Sequence, residues 1–151
     1  MKRLLNVVAL LLMVCGALVP TAVGQSAGQE AVIRKVLQSQ VDAWNRHDLE
    51  DFMAGYWNSP DLTFFSGGTE TQGWQSTLDR YRKKYQSAGA EMGKLEFSGL
   101  QIEMLGPKAA FVRGKFLLTL SDGKQPHGLF TLIFREFSEG WRIVHDHSSG
   151  E

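Results

Sequence analysis

The chain has 151 residues, with 16 basic and 16 acidic side chains, four histidines and one cysteine. That balance excludes the positive footprint of a nucleic-acid-binding protein, and a lone cysteine excludes an internal disulfide. The length is that of one ordinary domain, enough to bury its own core.

Met1-Lys2-Arg3 precedes a run, Leu4 to Val19, that is apolar apart from Asn6. Ala22-Val23-Gly24 then places small residues at the −3 and −1 positions of a cleavage site. This is the pattern of a secretory signal peptide over residues 1–24. The alternative is a membrane anchor, but the run falls short of the roughly 20 residues that span a bilayer. Cys15 follows bulky Val14 inside the run, the wrong setting for lipid attachment, and it leaves with the signal. The remaining domain, residues 25–151, keeps 14 basic and 16 acidic residues once Lys2 and Arg3 are gone, a net charge of −2. A secreted or periplasmic protein is expected, with no nucleic-acid partner and no stable membrane association after cleavage.

Ser26-x-x-Gln29 reads as a capping box. Behind it Val32, Ile33, Val36, Leu37, Val41 and Trp44 recur at helical spacing until Asn45-Arg46-His47. Asp48 is placed to cap a second helix, with Glu50 and Asp51 in its first turn. Leu49, Phe52, Met53 and Tyr56 form its apolar stripe, and Asn58-Ser59-Pro60 stops it. Leu62-Thr63-Phe64-Phe65 is a short strand. A turn-rich loop between Ser66-Gly67-Gly68 and Gln72-Gly73 follows. Leu78, Tyr81 and Tyr85 mark a third helix. The basic run it carries, Arg80-Tyr81-Arg82-Lys83-Lys84-Tyr85, reads as a solvated face.

Beyond Gly89 the pattern changes to strands, at Leu95 to Leu105, Ala109 to Leu120, Leu129 to Phe137 and Trp141 to Ser148. Short Gly-containing connections make these antiparallel hairpins. Ala110, Val112, Gly114, Phe116, Leu118 and Leu120 give the second of these strands one unbroken apolar face, which helices cover. Helices segregated from an antiparallel meander mean an α+β fold. The last strand runs into His145-Asp146-His147. Alternation puts the two imidazoles on one face and the acid on the other.

Three segments carry a family resemblance: Val41-Asp42-Ala43-Trp44-Asn45-Arg46-His47-Asp48, the Leu62 to Phe65 strand with Gly73 downstream, and Gly140-Trp141-Arg142-Ile143-Val144-His145-Asp146-His147-Ser148-Ser149-Gly150. In this order the chain resembles the nuclear transport factor 2-like superfamily, also called SnoaL-like or cystatin-like. Its end resembles that of the calcium/calmodulin-dependent protein kinase II association domain. The resemblance implies a cone, a curved antiparallel sheet wrapped around about three helices with a pocket at its mouth. It also implies pairing through the sheet into a homodimer. In the association domain a strand arginine lines the pocket, and Arg113 matches it. A second arginine of that domain falls at Ser148 here, so a pocket of that type lacks half its anion site. SnoaL-like cyclases carry a C-terminal catalytic acid near the position of Asp146.

Membership in such a superfamily leaves activity to be argued from the site. Asp146 reads either as a pocket carboxylate that moves a proton next to a carbonyl, or as a partly exposed acid paired with Arg113 or Arg142. His145 and His147 read as proton-transfer partners, as two metal ligands completed by His127 or a carboxylate, or as structural imidazoles. No metal and no cofactor is expected. Tyr56, Trp57 and Trp74 flank loops where a pocket mouth would lie, Arg113 can clamp a carboxylate, and His127 sits at a strand start. Trp44 and Trp141 read as packing. The expected function is binding of a small apolar or weakly acidic molecule. Two alternatives stand beside it: cofactor-independent isomerase, cyclase or dehydratase chemistry through Asp146 and a histidine, and a non-catalytic oligomerising module.

Overall fold

Helix α1 spans Ala22–Asn45. Ile33, Leu37, Gln40, Ala43 and Trp44 are its buried positions, spaced three and four apart as one helical face requires. In the computed structural model the described residues are 22–150, with side chains from residue 26 onward. The expected signal peptide therefore lies outside them up to residue 21. Ser26 stands inside α1 rather than at its start, so the expected capping box does not begin the helix. Val32, counted in the apolar stripe, is exposed, while Gln40 takes a core position. The Gln40 amide donates to the Phe52 carbonyl and so ties α1 to the next helix.

The end of α1 is set by His47, which adopts a positive φ of 63°. Asn45 then reaches across to the sheet. Its side chain accepts from the Leu95 N–H at 2.8 Å and donates to the Leu95 carbonyl at 3.1 Å, imitating a strand partner.

Asp48 caps α2 (Leu49–Met53), accepting from the Asp51 N–H at 3.0 Å. This helix stops well before Asn58-Ser59-Pro60. The chain instead turns to bond the sheet, with the Ile143 N–H donating to Gly55 and the Trp57 N–H to Ile143. Two strands follow, β1 (Thr63–Ser66) and β2 (Thr69–Gln72). The stretch read as a loop is thus a hairpin turning at Gly67-Gly68, both with positive φ. Helix α3 covers Trp74–Tyr85. Then come β3 (Lys94–Gly106), β4 (Ala109–Thr119), β5 (His127–Phe137) and β6 (Gly140–Gly150).

The sheet runs β2-β1-β6-β5-β4-β3. All neighbours are antiparallel except β1 and β6, which pair in parallel. That one pair departs from the expected all-antiparallel layer. Its source is chain order: β1 precedes the meander and comes back beside the last strand. Irregularities in the β3–β4 and β5–β6 ladders curve the sheet. The helices fill its concave side, where Val112, Leu132, Phe134 and Ile143 join Leu37, Met53 and Leu78 in one core.

The irregularity in β6 positions the site. Ile133 pairs with His145 and Phe134 with Ile143, so Val144 is an extra residue without a partner on β5. Trp141 and Ile143 point into the core. Strict alternation would then send His145 and His147 inward and Asp146 outward. The extra residue resets the count, so Asp146, opposite Leu132, faces the interior and both imidazoles face out.

Candidate functional site

Between the concave sheet and the helices lies a cavity of about 100 Å³. Phe64, Phe97, Phe116, Phe130 and Leu132 supply its apolar walls, and Tyr56, Asp146 and Ser148 supply polar groups. Trp44, Phe52, Tyr81 and Tyr85 back it as an edge-to-face aromatic cluster, with centroid separations between 4.8 and 6.0 Å.

Asp146 is the one carboxylate in the wall, and it is only 4 % exposed. The Tyr56 hydroxyl donates to its Oδ2 at 2.7 Å and the Ser148 hydroxyl to its Oδ1 at 2.8 Å. Burial pushes its pKa up to about 6, and the two hydroxyl donors, then His147, only partly oppose this. The acid in turn raises its neighbours: Tyr56 and Tyr81 are pushed well above the ordinary tyrosine value, by burial first and by the Asp146 charge second. The cluster is a carboxyl group poised near neutrality, held by two hydroxyls in an apolar hollow. Such a group takes or gives a proton at physiological pH, and it keeps hydrogen bonding in both states because hydroxyls rotate.

The sequence-derived candidates separate in space. Tyr56 and Asp146 meet at the cavity. His145 and His147 lie on the convex face, across the sheet from Asp146. The His145 Nδ1 contacts the Thr63 hydroxyl at 2.6 Å, and both rings meet the Phe65 ring edge-on or nearly so. Burial and then His147 lower the pKa of His145. The expected joint proton transfer between these imidazoles and Asp146 is thus divided by the backbone layer. Trp57 stacks on Phe137, and the Trp74 indole donates to the Met53 carbonyl at 2.9 Å; neither lines the cavity. Arg113 is exposed on the convex face over the Phe111 ring, so it neither clamps at this cavity nor pairs with Asp146. His127 is exposed, with Nδ1 near the Gln125 carbonyl, and borders a separate open depression beside Leu129. Among the described residues no group of three or more His, Cys, Asp or Glu side chains is placed to hold a metal ion.

The basic run is where the sequence reading departs furthest from the structure. Arg80, Tyr81, Lys84 and Tyr85 all line the cavity, and only the intervening Arg82 and Lys83 turn away from it. The 80, 81, 84, 85 spacing is that of one helical face, a signal present in the sequence but masked by charge.

A cone of three helices in a curved six-stranded sheet is the fold of the nuclear transport factor 2-like class. The SnoaL-like domain profile matches residues 33–150, and the chain belongs to that family. A nuclear transport factor 2-like protein of unknown function from Shewanella oneidensis shares 38% identity, with 80% of this chain and 98% of that one covered at a TM-score of 0.73. A putative calcium/calmodulin-dependent protein kinase type II association domain from Thiobacillus denitrificans shares the fold at 19% identity, 78% and 94% coverage and a TM-score of 0.66. So does a protein of unknown function from Mycobacterium tuberculosis, at 19% identity, 90% and 78% coverage and a TM-score of 0.72. No curated protein matches the chain.

Proposed function

We propose that the protein binds a small apolar or weakly acidic molecule in the cone and that Asp146 exchanges a proton with it. The observation that carries this reading is the Asp146 carboxyl, buried against aromatic walls and held near pH 6 by its surroundings. A carboxylate has little structural reason to sit there, because burial of an unpaired charge is costly. At about 100 Å³ the cavity is smaller than the ~150 Å³ apolar cavity that accepts benzene, so it takes a molecule of at most one ring. The chemistry is that of an isomerase, cyclase or dehydratase, in which one base removes a proton beside a carbonyl and returns it elsewhere. Deuterium uptake at the α-carbons of cyclohexanone in D2O, followed by NMR, tests it. The expected result is acceleration by the native protein and a loss of about 100-fold or more in Asp146→Asn. Acceleration that survives the substitution removes Asp146 from the role. Absence of any resonance shift on adding ring compounds removes the binding itself.

The same reading includes export through the N-terminal segment and pairing of two copies through the convex sheet face. Leu129, 58% exposed there, and the half-buried Phe111 and Ile133 support the pairing. Equilibrium sedimentation giving a monomer at micromolar concentration eliminates it. An exported polypeptide whose first residue precedes Gln25 eliminates cleavage after Gly24.

A further inference from the structure

Helix α3 carries four cations, Arg80, Arg82, Lys83 and Lys84, whose surroundings differ, and Lys83 turns away from the cavity. Arg82 pairs with Glu50 and with Asp79. Arg80 and Lys84, one turn apart on the cavity side, have no carboxylate partner among the described residues. Arg80 is half-buried, and its guanidinium reaches only neutral oxygens. Nη1 donates to the Thr71 hydroxyl at 2.8 Å and to the Thr69 carbonyl at 3.4 Å, and Nη2 donates to the Ser66 carbonyl at 2.8 Å. It lies over the Phe64 ring at 5.0 Å, and Lys84 lies over the Tyr85 ring at 5.0 Å. Anchoring the β1–β2 hairpin accounts for these bonds but leaves the charge uncompensated. A guanidinium has five donors in a planar fork that matches a carboxylate, and three contacts to neutral oxygens leave part of that capacity unused.

The cavity is therefore bipolar. The α3 wall offers two unpaired cations, the β6 wall offers the Asp146 carboxyl, and five phenylalanines are among the remaining lining residues. We propose that the ligand is a small organic anion: a ring or short acyl body whose carboxylate is bound by Arg80 and Lys84, with its opposite, carbonyl- or hydroxyl-bearing end at Asp146. The cations set where the molecule sits and which end faces the acid, which makes them binding and specificity residues rather than proton carriers. This proposal rests on the cavity being the binding site.

Benzoate and its neutral isostere benzamide are suitable probes, titrated by NMR against the methyl signals of Leu118 and Leu132. The native protein is expected to bind benzoate about tenfold more tightly than benzamide. Lys84→Gln, on an exposed side chain with no hydrogen bond or ion pair among the described residues, is expected to remove much of that preference, and Lys84→Glu to reverse it. Arg80→Gln is expected to remove it as well, with hairpin integrity read from the Thr69 and Thr71 amide signals. Arg113→Gln, on the convex face, is expected to leave both affinities unchanged. Equal binding of the two probes by the native protein overturns the anion assignment while leaving the cavity as a binding site. A benzoate preference that persists in both Lys84→Gln and Arg80→Gln overturns the role of these cations. Binding of neither probe overturns the cavity as a binding site, and the anion assignment with it.

Discussion

Asp146→Asn is expected to stabilise the protein in alkali and to have little effect in acid. The carboxyl moves from an ordinary pKa of 3.8 when unfolded to about 6 when buried. Each unit is ~1.36 kcal/mol, so the full effect is ~3 kcal/mol. The sign follows from proton counting. Between those two values the native state holds a proton that the unfolded chain has lost, so stability falls as pH rises through that window. Above about pH 6 both states are ionised and the native state carries the whole penalty of a buried charge. Asparagine keeps the shape, stays neutral, and both accepts from one hydroxyl and donates to the other, because Tyr56 and Ser148 can rotate their hydrogens. The lowered pKa of His145 works in the opposite sense, with stability lost as pH falls through its folded value, but it is common to both proteins and cancels in the comparison. Urea unfolding followed by tryptophan fluorescence at about pH 4 and about pH 8 measures the two differences. Because the unfolded carboxyl is already part-ionised at about pH 4, the variant should gain ~2.5 kcal/mol relative to the native protein between the two conditions. A difference that does not change with pH would refute the claim that the acid is buried and uncompensated.

Two further outcomes follow from the same geometry. Tyr56→Phe removes a donor that favours the charged acid, so the Asp146 titration, read by carboxyl ¹³C NMR, should move above its present value of about 6; a downward move contradicts the hydrogen bond. Gly114→Ala places a methyl group against Phe130 Cζ and 2.9 Å from Leu100 Cδ2. Thermal unfolding should report a loss of ~1–3 kcal/mol from overpacking, and ring-compound binding should weaken as Phe130 is pressed into the cavity; an unaltered melting temperature contradicts the tight fit.

Much of the fold was legible because its signals are local. Gly-containing turns delimit the last four strands, Asp48 with its acidic first turn announces α2, and the alternation of β4 gives the face that meets the helices. Strand β2 was not legible. Thr69-Glu70-Thr71-Gln72 is short, polar and largely exposed, so it carries no apolar period, and its pairing with β1 is decided by the Gly67-Gly68 turn. The cavity was legible in Tyr56 and Asp146 but not in Arg80 and Lys84. Charge on a helix usually means solvent, and only the tertiary placement of α3 against β1 turns that face inward. Trp57 and Trp74 adjoin loops, as a pocket rim would, yet a stacking partner and a backbone carbonyl claim them. Arg113 was assigned from kinship, and strand parity alone sends it to the other face.

Val144 is a supernumerary residue in its strand, and it decides which of its neighbours the interior meets. A lineage that lost this one codon would present two imidazoles to the hollow and turn the acid outward, without altering a letter of His-Asp-His. Kin sharing that tripeptide can therefore place different side chains in the hollow, and a residue's facing carries over along an alignment only where the spacing back to Trp141 is the same.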